Sequence, residues 1–361
     1  MPIPVCLTMI VKNEEAVITR GFDSILPFIT HYAICDTGST DRTVEVIEKY
    51  MAEHSITGKV FHHKWKNFGH NRSLSLEASR EVCPDGWAWV LDADDTIGGE
   101  LPTDWLANFP EPSVNGLSIT IKQGGSTYTR TQIFRNTTKW RYERSLHEFP
   151  TCDAPKVADL PPTIWNNSNR EGARNKDPLK YKKDAEALME DLAKYPNDPR
   201  TLFYIANSWR DAGNREKAIK WYHRRAVLKT GWNQEAYISY LNLLRLESNW
   251  NTKLELAWKA MEIDPTRLEV PFHIMVEACM RHKDIQQAYA MAAATENREM
   301  RPHMLFIENE TYQWRYNAQL AALAALTGHR ECAKREVEAA LAKCPEGEKA
   351  RLEQLKGEIN K

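Results

Sequence analysis

The chain has 361 residues, enough for two or three domains that each bury their own core. A net charge of −1 excludes a chain-wide electrostatic footprint for non-specific nucleic-acid binding. Seven cysteines, odd in number, scattered and without CxxC spacing, argue against a disulfide framework or a zinc site. Lys12-Asn13-Glu14-Glu15 interrupts the first apolar segment before it could serve as a signal peptide, and no run reaches membrane-spanning length. A cytoplasmic protein without a transmembrane segment is expected, with its oligomeric state open. Charge is uneven: residues 1–165 carry 16 Lys and Arg against 21 Asp and Glu, the remainder 32 against 28.

In chain order, Val5 to Val11 reads as a buried strand, followed by a helix with Val17, Ile18, Phe22, Ile25 and Leu26 at helical spacing. Tyr32-Ala33-Ile34-Cys35 is a second strand, running into Asp36-Thr37-Gly38-Ser39-Thr40-Asp41 and a helix carrying Val44, Val46, Ile47 and Tyr50. Val60 to His63 is a third short strand, after which Phe68-Gly69-His70-Asn71-Arg72 opens a helix. Gly86 to Leu91 is a fourth, and it ends in Asp92, Asp94 and Asp95. The alternation points to a parallel α/β sheet with crossover helices, whose informative turns share one sheet edge. Residues 116–121 and 127–134 then alternate with period two around Lys122-Gln123-Gly124-Gly125-Ser126, a β-hairpin pattern. Lys139 to Pro150 shows little periodicity, crowds Arg141, Glu143, Arg144, His147 and Glu148 together, and reads as an active-site loop.

From about Asp177 the pattern is helical to the last residue. Leu202, Ile205, Ala206, Trp209, Gly213, Ala218 and Tyr222 fall where a tetratricopeptide helix pair places its large, small and turn residues, and Leu320, Ala321, Gly328, Ala333, Val337, Ala340 and Pro345 repeat the pattern. Pairs centred on Ala257 and Ala288 match less well, as degenerate repeats do. Trp209, Trp221, Trp232, Trp250, Trp258 and Trp314 are read as helix-pair core rather than a base-stacking surface.

Closely spaced carboxylates at a strand's carboxyl end repel one another unless a hard cation or hydrogen-bond donors offset them, which makes Asp92 to Asp95 a candidate metal and phosphate site. A solvated turn or helix cap is the alternative at these residues. Asp36, just beyond a strand and followed by Gly38, suits a nucleobase or ribose, or else an N-cap turn. Arg72 at a helix N-terminus suits a diphosphate, or else lies on the surface. His147-Glu148 pairs a potential metal ligand with a potential general base, and Glu143 competes for the base role. There is no GxGxxG after the first strand, no GxxxxGK[ST] and no GxSxG, which disfavours dinucleotide oxidoreductases, P-loop enzymes and α/β-hydrolases.

Met9 to Glu15, Asp36 to Asp41, Phe68 to Arg72 and Leu91-Asp92-Ala93-Asp94, in this order, make the first half resemble a family 2 glycosyltransferase of the GT-A fold. Arg130, Arg135 and His147-Glu148 are similar to the branch with lipopolysaccharide-core glucosyltransferases and the sublancin-type peptide S-glycosyltransferase, where a helical repeat domain also follows the catalytic one. Phe203 to Gly213 and Gly231 to Glu235 resemble the tetratricopeptide segment of such members.

The resemblance implies a GT-A catalytic domain over residues 1–165 and an all-α helical domain over 166–361. It implies that Val11, Asn13 and Glu14 line the nucleotide pocket, that Asp36 contacts the base, and that Arg72 reaches the base or diphosphate. Asp92 would face the ribose and the metal-bound diphosphate, Asp94 would ligate Mn²⁺ or Mg²⁺, and His147 would contact metal or diphosphate. Glu148 or Glu143 would be the base of an inverting transfer from a nucleotide-sugar donor, by default UDP-glucose. The acceptor would be a glycan, a lipid-linked sugar or a peptide, with modified DNA or an inactive scaffold as rival readings. Trp165-Asn166 stands where related members often carry a histidine.

Overall fold

The computed structural model of the chain describes all residues except 1–2, 103–104, 107–112, 125, 170, 296–298 and 302–303, so Gly125 of the expected hairpin turn lies outside the described residues. The chain divides into two compact units, residues 1–191 and 192–361. The expected division at 165/166 falls inside the first unit, within a strand.

The first unit opens with β1 (Val5–Val11), α1 (Ile18–Ile25), β2 (His31–Asp36), α2 (Thr43–Glu53), β3 (Thr57–His62), α3 (Phe68–Val82) and β4 (Trp87–Val90). These are the four strands and three helices read from hydrophobic spacing. β5 (Thr96–Gly99), β6 (Gly116–Gln123), β7 (Ser126–Arg135), β8 (Arg141–Glu143), β9 (Phe149–Thr151), β10 (Val157–Asp159), β11 (Ile164–Asn167) and α4 (Lys180–Lys194) follow. The main sheet runs β3-β2-β1-β4-β7-β6-β11-β5, with β10 beside β6. β3, β2, β1 and β4 are parallel, and β7 joins β4 antiparallel as one arm of the expected β6–β7 hairpin.

This order contains a switch point. The chain winds outward from β1 through β2 to β3, then returns to place β4 on the other side of β1. A crevice between the carboxyl ends of two such strands is where open α/β sheets hold ligands. Leu7, Met9, Ile18, Phe22, Ile34, Trp89, Leu91, Ile119 and Ile133 form the main core. On the opposite face the small residues Cys6, Ala33 and Cys35 let α3 lie close to β1 and β2, meeting them through Ala78 and Cys83. Burial pushes the Cys6 and Cys35 thiols up to about 12, so both are inert packing groups.

Two readings of this unit are corrected. Lys139 to Pro150 is not wholly irregular, because β8 and β9 pair antiparallel within it as a separate small sheet. β5 and β11 had no expected counterpart. They pair antiparallel, and β11 is inserted between β6 and β5.

The second unit contains α5 (Pro199–Asp211), α6 (Arg215–Ala226), α7 (Asn233–Leu246), α8 (Trp250–Ile263), α9 (Glu269–Arg281), α10 (Ile285–Ala293), α11 (Tyr316–Leu326), α12 (Arg330–Leu341) and α13 (Glu346–Ile359). Each helix packs on the next, and α5 also meets α7, as α9 meets α11, which is the connectivity of stacked helix pairs. Leu202, Ile205, Ala206, Trp209, Ala218 and Tyr222 are all buried, as are Leu320, Ala321, Ala333, Val337 and Ala340. Gly213 and Gly328 turn the chain at φ of 75° and 82°. Trp209, Trp221, Trp250 and Trp314 are core as expected, whereas Trp232 and Trp258 are 42% and 43% exposed.

A pH dependence arises in this unit at His273 on α9. Burial, reinforced by Arg245, Lys253 and Arg315, lowers its pKa to about 4, so it folds neutral. An unfolded histidine titrates near 6.5, so the unfolded chain binds the extra proton first. The stability tied to neutral His273 is therefore present above about pH 6.5 and lost as pH falls toward 4. Thermal melts of the full chain should show this loss, roughly 2 kcal/mol, and His273→Gln should flatten the slope. An unchanged slope in the variant would refute the assignment.

Candidate functional site

Four segments meet at the carboxyl edge of the parallel strands. After β1, Asn13 takes a positive φ of 57°, which turns its amide toward the segment after β2. There its Oδ1 accepts from Thr40 N (2.7 Å), while its own N–H donates to Ser39 Oγ (3.0 Å). Glu14 N–H donates to Thr43 Oγ1 (2.8 Å), so the two strand ends interlock. Val11 is buried, and its carbonyl accepts from both Thr37 N and Thr37 Oγ1. Asp36 is 6% exposed, and its carboxylate accepts from Gly38 N (3.2 Å) and Ser39 N (3.0 Å) and meets His62 Nδ1 at 3.5 Å. It therefore builds the turn read as an alternative, and that turn faces an open cleft of about 410 Å³. The cleft is lined by Asp36, Thr37, Gly38, His62, His63, Lys64 and Trp65.

The third segment is the start of α3. Asn67 caps it by accepting from His70 N (2.8 Å). A side chain at Gly69 would lie 2.1 Å from the Arg144 carbonyl, so only glycine admits the β8–β9 connection this close. Phe68 N donates to Ser145 O, and Ser73 Oγ accepts from Tyr142 N (2.9 Å), which pins that connection against the helix. The result is a buried charge bridge. Arg72, with a side chain 10% exposed, donates from Nη2 to Asp92 Oδ1 and from Nε to Glu148 Oε1, both at 2.6 Å. Its guanidinium is thus engaged by two carboxylates.

Burial raises the Asp92 carboxyl, but Arg72, Arg130 and Arg174 together outweigh burial and hold it below the usual carboxylate range. Arg130 Nε is buried beside this group without a hydrogen-bond partner among the described residues. Asp95 is 1% exposed and accepts from Asn166 Nδ2 (3.0 Å) and Asn169 N (3.1 Å). Burial, with Asp92 as the next cause, lifts it to about 7. It therefore ties β11 to the acid edge. Glu14 is lifted to about 7 as well, by burial first and with Asp94 adding to it.

Asp94 Oδ2 accepts from Glu171 N (2.9 Å) and Gly172 N (2.8 Å). Glu143 faces Arg141 (3.2 Å) with its side chain 42% exposed, whereas the Glu148 side chain is 14% exposed. His147 is exposed at a positive φ of 53°. Among the described residues no three His, Cys, Asp or Glu side chains converge, so Asp92, Asp94 and His147 are not assembled as one ligand set. Carboxylate oxygens are nonetheless the hard donors that Mn²⁺ and Mg²⁺ take, and such ions need only one or two carboxylates when phosphates and water complete the shell. Asp94 Oδ1 accepts no hydrogen bond among the described residues, which fits that use.

His62, the last residue of β3, and His63, Lys64 and Trp65, which follow it at the same edge, were not among the expected cleft residues. Nor were Glu171 to Ala173 expected at the site, whose contributing groups are backbone N–H.

The model of glycosyl transferase family 2 matches residues 6–162. Those residues are a glycosyl transferase family 2 domain. A TPR repeat-containing protein of Synechococcus elongatus is 24% identical over 231 residues, 60% of this chain and 55% of that one. An uncharacterized glycosyltransferase of Rickettsia bellii is 29% identical over 93 residues, 26% and 28% of the two chains. The chain thus spans about half or less of the length of the curated relatives it matches. Among solved structures, S. aureus TarS 1–349 in complex with UDP shares 15% identity over 78% of this chain and 92% of that one, with a TM-score of 0.37. MamA shares 16% identity over 50% and 97%, with a TM-score of 0.35. The family 2 transferase domain holds every strand end described above, and β11 and the Glu171–Lys176 segment lie beyond the matched range.

Proposed function

We propose that the protein is an inverting glycosyltransferase that moves a sugar, by default glucose, from a UDP-linked donor to a glycan, lipid-linked sugar or peptide in the cytoplasm. The observation that carries this reading is the pairing, inside a family 2 domain, of the β1 and β4 ends at the switch point, with Asp92 anchored by Arg72 and Asp94 at the edge. The base of the nucleotide lies in the cleft beside Asp36, between Trp65 and the Gly38 turn. Asn13 and Glu14 brace the segment after β2 that borders this cleft, through Ser39, Thr40 and Thr43. Asp94 would hold Mn²⁺ or Mg²⁺ through Oδ1, with phosphate and water completing the shell, while Asp92 stays paired with Arg72 and His147 stands outside that set. When bound, that cation offsets the charge that collects on the departing diphosphate. Arg130, whose Nε has no partner among the described residues, is a cation suited to the diphosphate oxygens. The helical portion holds the acceptor.

Glu148 is the better base. It is tied through Arg72 to Asp92, whereas Glu143 turns to Arg141 on the outside. Glu148→Gln keeps an acceptor for Arg72 but cannot take a proton, so turnover should fall about a hundred-fold with donor affinity unchanged. Glu143→Gln should leave turnover within about two-fold. Steady-state kinetics with UDP-glucose, read through donor hydrolysis, decides between them, and the opposite pattern would move the base role to Glu143.

A further inference from the structure

Asp94 and Glu14 are both covered by one short segment. Glu171 N and Gly172 N donate to Asp94 Oδ2, and Ala173 N donates to Glu14 Oε1 (3.2 Å) and Oε2 (3.3 Å). Glu171 is fastened in turn to α1 by an ion pair with Arg20 Nη1 at 2.7 Å. Gly172 is wedged between the acids: a Cβ there would lie 3.2 Å from Asp94 Oδ2 and 3.2 Å from Glu14 Oε1. Beyond it, Arg174 pairs with Asp184 and covers the Phe68 ring at 4.4 Å, which holds the far end of the segment.

A cation binding between these carboxylates needs oxygen ligands at about 2.1 Å and an open side for phosphate and water. The backbone of Gly172 fills that space, and the N–H groups already use the lone pairs of Asp94 Oδ2. We infer that Glu171–Lys176 is a strap that competes with a divalent cation and its diphosphate for the carboxylates of Asp94 and Glu14, and must lift before the donor is seated. The inference rests on the proposed metal role of Asp94. The strap supplies the hydrogen-bond donors that keep two neighbouring carboxylates tolerable without a cation, and it leaves when the cation takes over that task.

Hydrogen exchange of the full chain tests this, without ligand, with Mn²⁺ alone, and with Mn²⁺ and UDP. The amides of Glu171, Gly172 and Ala173 are expected to be protected in the metal-free protein and to lose that protection when Mn²⁺ binds. Arg20→Ala removes the exposed ion pair, and Gly172→Ala crowds the strap against both carboxylates, whose oxygens would lie 3.2 Å from the added carbon. Each should tighten Mn²⁺ binding, read by electron spin resonance, by about five-fold, the scale of one exposed ion pair. Amides that exchange freely without metal would overturn the strap. Mn²⁺ binding with protection intact, or wild-type affinity in both variants, would overturn the competition while leaving the metal role of Asp94 standing. Mn²⁺ binding to none of the three proteins would overturn that metal role and the competition with it.

Discussion

Replacing Asp94 by alanine should lower sugar transfer and donor hydrolysis by about a thousand-fold while the protein still melts cooperatively. The side chain stands at the sheet edge, where β4 has already ended, and Val90 and Leu91 keep their places in the core without it. Its removal frees the N–H groups of Glu171 and Gly172, which turn to water at a cost of about 1 kcal/mol. On the proposed metal role, what is lost is a charged oxygen ligand for the cation, and of the neighbouring acids only Glu14 is left to face it. Asp92 is engaged by Arg72, and Asp95 is buried under Asn166 and Asn169. Asp94→Asn keeps the shape and an acceptor for the strap, so equal loss in both variants assigns the effect to charge. Hydrolysis of UDP-glucose followed by mass spectrometry is the readout, and near-normal turnover in Asp94→Ala would remove the metal role.

The second large effect concerns Arg72. Methionine at this position fills the volume but leaves Glu148 almost enclosed and Asp92 two-thirds enclosed, both without the guanidinium they share, although Arg130 and Arg174 still act on Asp92. Breaking one side of a buried ion pair costs more than the pair is worth, because the remaining charge has no water to turn to. Here one guanidinium serves two carboxylates, so a loss of about 3 kcal/mol is expected, even allowing for the exposed part of Asp92. Guanidinium melts of the full chain would report it as a lower midpoint for the α/β unit. Arg72→Lys should recover only part, since an ammonium cannot hold both acids in the fork geometry seen here. Wild-type stability in Arg72→Met would mean that the two carboxylates find other partners.

Much of the α/β unit was legible because β1, β2 and β4 are apolar runs with clear polar ends, β3 shows through Val60 and Phe61, and the helices between them carry period-3.6 spacing. The tetratricopeptide landmarks were legible for the same reason, since Leu202 to Tyr222 and Leu320 to Ala340 mark buried contacts at fixed offsets. β5 and β11 were not. Each is four residues long, and Trp165-Asn166-Asn167 gives no alternation to read, because its pairing with Thr96 to Gly98 depends on the distant fold. The β8–β9 pair was hidden by its charges, because Arg141 and Glu143 pair with each other and Glu148, in the connection, pairs with Arg72 of α3, so none of them follows a period. The acids at the end of β4 stood out by composition alone. Their division of labour did not, because it is set by groups far away in sequence: Arg72 for Asp92, Asn166 for Asp95, and the N–H groups of Glu171 and Gly172 for Asp94.

The most direct test of the central claim is calorimetric titration of UDP into the full chain, with and without Mn²⁺, for the wild type and Asp94→Ala. Binding that requires Mn²⁺ in the wild type and vanishes in Asp94→Ala is the expected result. Absence of UDP binding under any condition, or equal binding by both proteins with and without the cation, would contradict it.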